Sequence, residues 1–88
     1  MRPEETRYAF SQAYYELQAG RERDALATLE ALVKTHPGEP DAVLMLGGLL
    51  VKQRRGRDAA ALYDRALASP GLPDEARAAI ASRRQNLR

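Results

Sequence analysis

Residues 21–27 read RERDALA, and residues 55–61, 34 positions later, read RGRDAAA, so five of the seven aligned residues are identical. Self-similarity at one fixed period is the sequence pattern of a repeat protein, in which each unit buries its apolar face against the next unit. This repeated stretch, more than any single motif, decides the fold that we expect.

Glycine and proline residues divide each repeat into two segments. Gly20 and Gly56 separate the two halves, whereas residues 37–38 and 70–71, each Pro-Gly, end the repeats. Between these breaks the apolar residues recur every three or four positions, which indicates α-helix, and no strand-like alternation occurs. The sequence therefore predicts an all-α chain with five helices, at about residues 4–18, 22–35, 40–54, 57–69 and 73–87.

Small residues recur at the points where the two helices of each repeat should cross. Ala25 and Ala59 occupy equivalent positions on the second helices, and Ala13 and Gly47 do so on the first helices. Small side chains allow two helices to approach closely. The third helix is apolar nearly all round, so we expect it to be the most buried helix of the chain.

The period and this order of small and large residues resemble the tetratricopeptide repeat. The residues of the second unit that match the family's pattern are Val43, Leu46, Gly47, Leu50, Ala59, Tyr63, Ala66 and Pro70. The first unit matches in its second half, at Gly20, Ala25, Leu29, Leu32 and Pro37.

The sequence departs from the family's pattern in two regions, the first helix and the turn of the second repeat. Strict alignment places Gln12 and Glu16 at core positions of the first helix, whereas the apolar stripe of that helix runs through Phe10, Ala13, Tyr14 and Leu17. The register of this helix therefore stays open. Gly56 lies two positions after the family's turn glycine, which leaves the geometry of the second turn open as well.

The resemblance implies an α-solenoid of helix–turn–helix repeats in a right-handed superhelical array. We expect one domain over residues 1–88, with repeat 1 at about 6–38, repeat 2 at about 40–71 and a capping helix at about 73–87. That last helix carries several arginines, and a polar terminal helix is what ends a solenoid. We therefore expect the array to end there.

In the family that the chain resembles, the first helix of each repeat lines the concave surface. Mapped onto this sequence, the predicted groove consists of Phe10, Tyr14, Leu17, Gln18, Leu44, Gly48, Val51 and Lys52. The capping helix would add Glu75, Ala78, Ser82 and Gln85. Such an apolar strip suits a partner helix or peptide. Alternatively, Phe10 and Tyr14 only complete a thin core.

Charge offers a second candidate site. The chain has 14 Lys and Arg against 12 Asp and Glu, a net charge of +2, which argues against a dedicated nucleic-acid binder. A basic edge is nevertheless predicted at the turns inside the repeats, formed by Arg21, Arg23, Arg54, Arg55 and Arg57. These cations either complement helix dipoles or bind an anionic partner.

Several classes of function find no support in the sequence. The chain has no cysteine and one histidine, His36, so we expect no metal, no cofactor and no enzymatic activity. It shows neither a signal peptide nor a membrane span, and we expect a cytoplasmic location. The favoured function is a protein-interaction adaptor. The alternatives are binding of nucleic acid or another anionic surface by the arginine edge, and self-association into a homo-oligomer.

Overall fold

The computed structural model describes the backbone of residues 3–87 and the side chains of residues 7–87. Its helices are α1 Pro3–Gln18, α2 Glu22–Thr35, α3 Pro40–Lys52, α4 Gly56–Leu67 and α5 Asp74–Gln85. Residues 3–87 contain no strand. The expected all-α class and the five helices are confirmed, and every helix begins and ends within two residues of the predicted position. Residues 1, 2 and 88 of the expected 1–88 domain lie outside the described residues.

The turns inside the two repeats have the same backbone conformation at equivalent positions. Gly20, after α1, has φ +79°, and Arg54, after α3, has φ +61°. The left-handed conformation favours glycine, because a Cβ atom is strained there. The second turn thus places an arginine where the first turn has a glycine. Gly56, which the sequence suggested as the break, is instead the first residue of α4.

Backbone hydrogen bonds close both turns in the same way. The Arg21 N–H donates to the Glu16 carbonyl at 2.7 Å. In the second turn the Arg55 N–H donates to the Leu50 carbonyl at 2.8 Å. In both turns the residue after the left-handed one donates its N–H to the carbonyl five positions earlier. This is the Schellman motif, which satisfies the last carbonyls of a helix. The 34-residue period therefore extends from the side chains to the backbone of the turns.

Each helix packs against the next helix along the chain, and α3 also contacts α5. The molecule measures 32 × 30 × 18 Å along its principal axes. Buried side chains from all five helices form one apolar cluster, and α3 contributes six buried residues, more than any other helix. The expectation that α3 is the most buried helix is confirmed. Ala25 and Ala59 are completely buried, as the close approach of the helices requires.

Gly47 and Tyr63 form the tightest contact between α3 and α4. The Tyr63 ring is almost completely buried, and a Cβ atom built on Gly47 would overlap the ring and its hydroxyl. The equivalent pair in the first repeat is Ala13 with Leu29, both completely buried. A larger residue on α4 is thus matched by a smaller residue on α3, as close-packed interiors require.

The register of α1 agrees with the strict alignment at one of its two polar positions. Glu16 is buried and accepts a hydrogen bond of 2.8 Å from the Thr28 hydroxyl of α2. Gln12, in contrast, is exposed. From the alternative apolar stripe, Ala13 is completely buried, whereas Tyr14 is exposed. A polar pair therefore occupies part of the α1–α2 contact.

The last helix covers the end of the second repeat. Ile80 of α5 is completely buried against the rest of the core. The Arg77 guanidinium donates one hydrogen bond to the Leu67 carbonyl and a second to the Ser69 carbonyl. These carbonyls lie at the end of α4, where a helix lacks internal donors. Arg77 therefore satisfies the end of α4 while α5 buries its apolar side.

Candidate functional site

The predicted groove residues differ in how far they remain accessible. Tyr14 is 53% exposed and Val51 is 47% exposed. The residues that are half-buried and packed against the core are Phe10, Leu17 and Leu44. Gln18 and Lys52 are exposed, and Gly48 is half-buried. Phe10 thus serves packing in part, while Tyr14 presents its ring to solvent.

A depression of about 360 Å³ lies where α3 faces the end of α5. The residues that line it are Gly48, Val51, Tyr63, Arg83, Asn86 and Leu87. It brings Gly48 and Val51 of the predicted groove together, but the predicted residues of α1 and Leu44 do not line it. The depression therefore involves the α3 part of the predicted groove together with residues at the end of α5.

Gly48 supplies the open space of this depression. A Cβ atom built on Gly48 would meet no atom within 4 Å, in contrast to the overlap at the neighbouring Gly47. The two adjacent glycines thus face different surroundings. The surface therefore has a gap at Gly48, one of the predicted groove residues.

Arg83, Asn86 and Leu87 were missed by sequence reasoning, which favoured Ser82 and Gln85 on α5. The helical period contains a signal that could have found two of them. Residues three and seven positions after the buried Ile80 share its side of the helix, and these are Arg83 and Leu87. The mapping from the family resemblance had instead selected the side of α5 that carries Ser82 and Gln85.

The polar groups of the depression sit beside an apolar floor. Burial raises the pKa of the Tyr63 phenol, and the nearby Arg83 cation acts in the opposite direction. Arg83 itself is exposed and makes no ion pair with a carboxylate among the described side chains. The site therefore offers the exposed Arg83 guanidinium beside Tyr63, an amide from Asn86 and the apolar surfaces of Val51 and Leu87.

Lys52, at the end of the predicted groove, is held in an ion pair. Its ammonium group donates to the Glu22 carboxylate at 2.6 Å. This hydrogen bond and the positive charge of Lys52 lower the pKa of Glu22. Because Lys52 ends α3 and Glu22 begins α2, the contact also shows that α2 and α3 run antiparallel.

The five arginines of the predicted basic edge are all exposed. They lie in the two turns inside the repeats and in the first turns of α2 and α4. The ion pair between Lys52 and Glu22 places the turn between α1 and α2 beside the turn between α3 and α4. Arg55 donates to Asp58 at 2.7 Å, and none of the other four pairs with a carboxylate within residues 7–87.

A second depression, of about 470 Å³, lies between α2 and α4. Its floor includes Val33, Leu46 and Leu62. Its charged residues are Glu30, Lys34, Arg55, Asp58 and Arg65. The charges of both signs alternate around the rim, so this surface has no uniform electrostatic preference for a ligand.

Metal binding finds no support in the described part of the chain. No three histidine or acidic side chains there come together as a metal site would require. His36 follows the last residue of α2, and its backbone N–H donates to the Leu32 carbonyl. The Nδ1 atom of its ring lies 2.8 Å from the Thr35 hydroxyl. None of the described helices is both long enough and apolar enough to cross a membrane.

These features define a helical-repeat protein built from helix–turn–helix hairpins. A family model of the tetratricopeptide repeat matches residues 10–73 and, in a second match, residues 44–82. The chain belongs to the tetratricopeptide repeat family. Repeats of this family generally mediate protein–protein interaction and typically act as non-catalytic scaffolds. Neither the curated proteins nor the solved structures gave a match.

Proposed function

We propose that the chain is an adaptor that binds a helix or an extended segment of a partner protein on the surface formed by α1, α3 and α5. The observation that carries this proposal is the open depression at Gly48, which is continuous with the exposed side of Val51. Accessible apolar surface beside an exposed arginine is typical of an interaction site. The protein-binding role that is general in the family supports the same function.

The chemistry of the depression suggests what the partner segment carries. An apolar side chain would occupy the space above Gly48 and contact Val51 and Leu87. A carboxylate or carbonyl oxygen of the partner would accept hydrogen bonds from Arg83 and Asn86. Tyr14, exposed on α1, would extend the contact along the predicted groove, because tyrosine is enriched at interface centres.

The test uses peptides selected from a displayed random library for binding to the immobilised protein. The selected peptides are then titrated into the isotope-labelled protein, and amide shifts are followed by NMR. We expect the largest shifts at Gly48, Val51 and Leu87. Gly48→Met, which fills the depression, should weaken binding of these peptides by about tenfold or more, equivalent to 1.4 kcal/mol.

Ala61→Met provides the matched control. Ala61 is exposed on α4 and lines the other depression, so the same side chain is added to a different surface. Peptide affinity should be unchanged in this variant. Undiminished affinity in Gly48→Met, together with shifts confined to the α2–α4 side, would show that the proposed surface is not the binding site.

A second candidate function rests on the arginine edge. Four exposed arginines without a carboxylate partner in the described region would bind an acidic protein or a nucleic acid. Titration with a fluorescent single-stranded oligonucleotide at rising salt would detect such binding, with affinity falling steeply as salt increases. Arg21→Gln combined with Arg57→Gln should reduce both the affinity and its salt dependence. Absence of binding at low salt would exclude nucleic acid as the partner.

A further inference from the structure

The outward side of α1 carries an exposed, uncharged stripe. Tyr8 is 73% exposed and Tyr15 is 67% exposed, and Ser11 and Gln12 between them are exposed as well. These four residues, which we call the α1 outer stripe, follow the i, i+3, i+4, i+7 spacing of one helix face. Tyr14, the third exposed tyrosine, lies on the groove side.

In the second repeat the equivalent helix face is buried. The residues 34 positions after Tyr8, Gln12 and Tyr15 are Ala42, Leu46 and Leu49. All three are buried, with at most 5% of their surface exposed. They belong to α3, which packs against the preceding helix, α2.

The last helix repeats this arrangement in part. One further period leads from Leu46 to Ile80, which is completely buried, and from Ala42 to Ala76, which is half-buried and packed against the core. Helix α5 packs against α4, again the helix before it. Ala79 and Arg83, the equivalents of Ser11 and Tyr15 on α5, are exposed. This face is therefore buried on α3 and only partly buried on α5. On α1, the third case, none of the described helices covers it.

From this equivalence we propose that the α1 outer stripe is a self-association surface, covered by α1 of a second copy in an antiparallel, two-fold symmetric pair. The direction is taken from the chain itself, because α2 packs against α3 and runs antiparallel to it. Symmetry about the point between Ser11 and Gln12 places Tyr8 opposite the second copy's Tyr15, and Tyr15 opposite its Tyr8. A closed pair with the same patch on both copies results.

The composition of the stripe fits such a pair. It contains no charge, although 30% of the chain's residues are charged, and depletion of charge marks the centre of interfaces. Tyrosine combines a large apolar ring with a hydroxyl that stays compatible with water, so the stripe tolerates both the free and the paired state. Burial of four tyrosines removes on the order of 500 Å² of surface, which predicts a weak dimer.

The first experiment measures mass by light scattering and sedimentation over protein concentrations from about 10 µM to about 1 mM. We expect the average mass to rise from monomer toward dimer. Tyr8→Glu combined with Tyr15→Glu should raise the dimer dissociation constant at least about tenfold by placing carboxylates in the interface. Tyr14→Glu is the matched control, since it also exchanges an exposed tyrosine of α1, and it should leave the dimer unchanged.

The second experiment uses the absence of cysteine from the chain. Gln12→Cys lies next to the proposed two-fold axis and should form a disulfide-linked dimer under mild oxidation. Gln85→Cys, exposed on α5, should form no disulfide-linked dimer under the same conditions. A wild-type protein that stays monomeric at about 1 mM would overturn the proposal. So would a dimer that Tyr14→Glu abolishes and the Tyr8 and Tyr15 exchanges do not, because it would form through the groove.

Discussion

The two repeats solve the same packing problem with different residues. In the second repeat Gly47 lies against the buried Tyr63 ring, and the equivalent residues of the first repeat are Ala13 and Leu29, both completely buried. The summed side-chain volume of each pair is similar, although both residue types differ between the repeats. The comparison shows that the period fixes where two helices cross, while the pair of residues at the crossing is adjusted as a unit.

Polar contacts also distinguish the repeats. Glu16 and Thr28 share a partly buried hydrogen bond between α1 and α2. The residues 34 positions later are Leu50 and Leu62, both buried. A hydrogen-bonded pair at one site thus corresponds to two leucines at the other. A polar group taken from water must find a partner in the protein, which Glu16 does through Thr28.

The largest effect is expected when only one residue of the Gly47–Tyr63 pair is replaced by its equivalent in the first repeat. Gly47→Ala should destabilise the protein by about 2 kcal/mol, because the overlap with Tyr63 outweighs the better helix propensity of alanine. Urea unfolding measures the change. In a domain of this size such a loss is a large share of the total stability.

The double variant Gly47→Ala with Tyr63→Leu copies the crossing of the first repeat. Its destabilisation should be at least about 1 kcal/mol smaller than the sum of the two single variants, since the leucine removes the overlap. Gly48→Ala is the control for helix propensity, because its Cβ atom meets open space, and it should stabilise the protein by about 0.5–1 kcal/mol. Additive effects of the two exchanges would show that the crossing is not fitted as a pair.

A smaller effect is expected from the polar pair. Thr28→Val should cost about 1 kcal/mol, because the buried Glu16 carboxylate loses its donor. Combining Glu16→Leu with Thr28→Leu, which copies Leu50 and Leu62, should recover that loss. Thermal unfolding compares the two variants with the wild type, and a double variant less stable than Thr28→Val would contradict the equivalence.

The smallest effect concerns the turns. Arg54→Gly should stabilise the protein by about 0.5 kcal/mol, because glycine adopts the positive φ without strain. The reciprocal exchange, Gly20→Arg, should destabilise it by about 1 kcal/mol. Arg54→Ala removes the charge but keeps the strained backbone, and its stability should match that of the wild type. If Arg54→Ala gained as much as Arg54→Gly, charge and not backbone strain would be the cause.

Much of this architecture was predictable because helices and turns are local. The helix bounds follow from apolar spacing and from glycine and proline, and the buried small residues follow from the period. Gly48 and Val51 were placed in the groove by the resemblance, and both line the depression. The left-handed conformation of Arg54 contradicts the usual preference for glycine, so local rules assigned the break to Gly56 instead.

The sequence by itself determined the period, the five helices and the crossing points, because each depends on residues that are neighbours along one helix or one turn. Only the tertiary structure decided what covers each helix face. Leu46 and Gln12 occupy equivalent positions, yet Leu46 is buried and Gln12 is exposed. The tertiary structure also brought Arg83 to the depression and paired Lys52 with Glu22. Such contacts join residues far apart in the chain, and spacing along one helix does not specify which helix lies opposite.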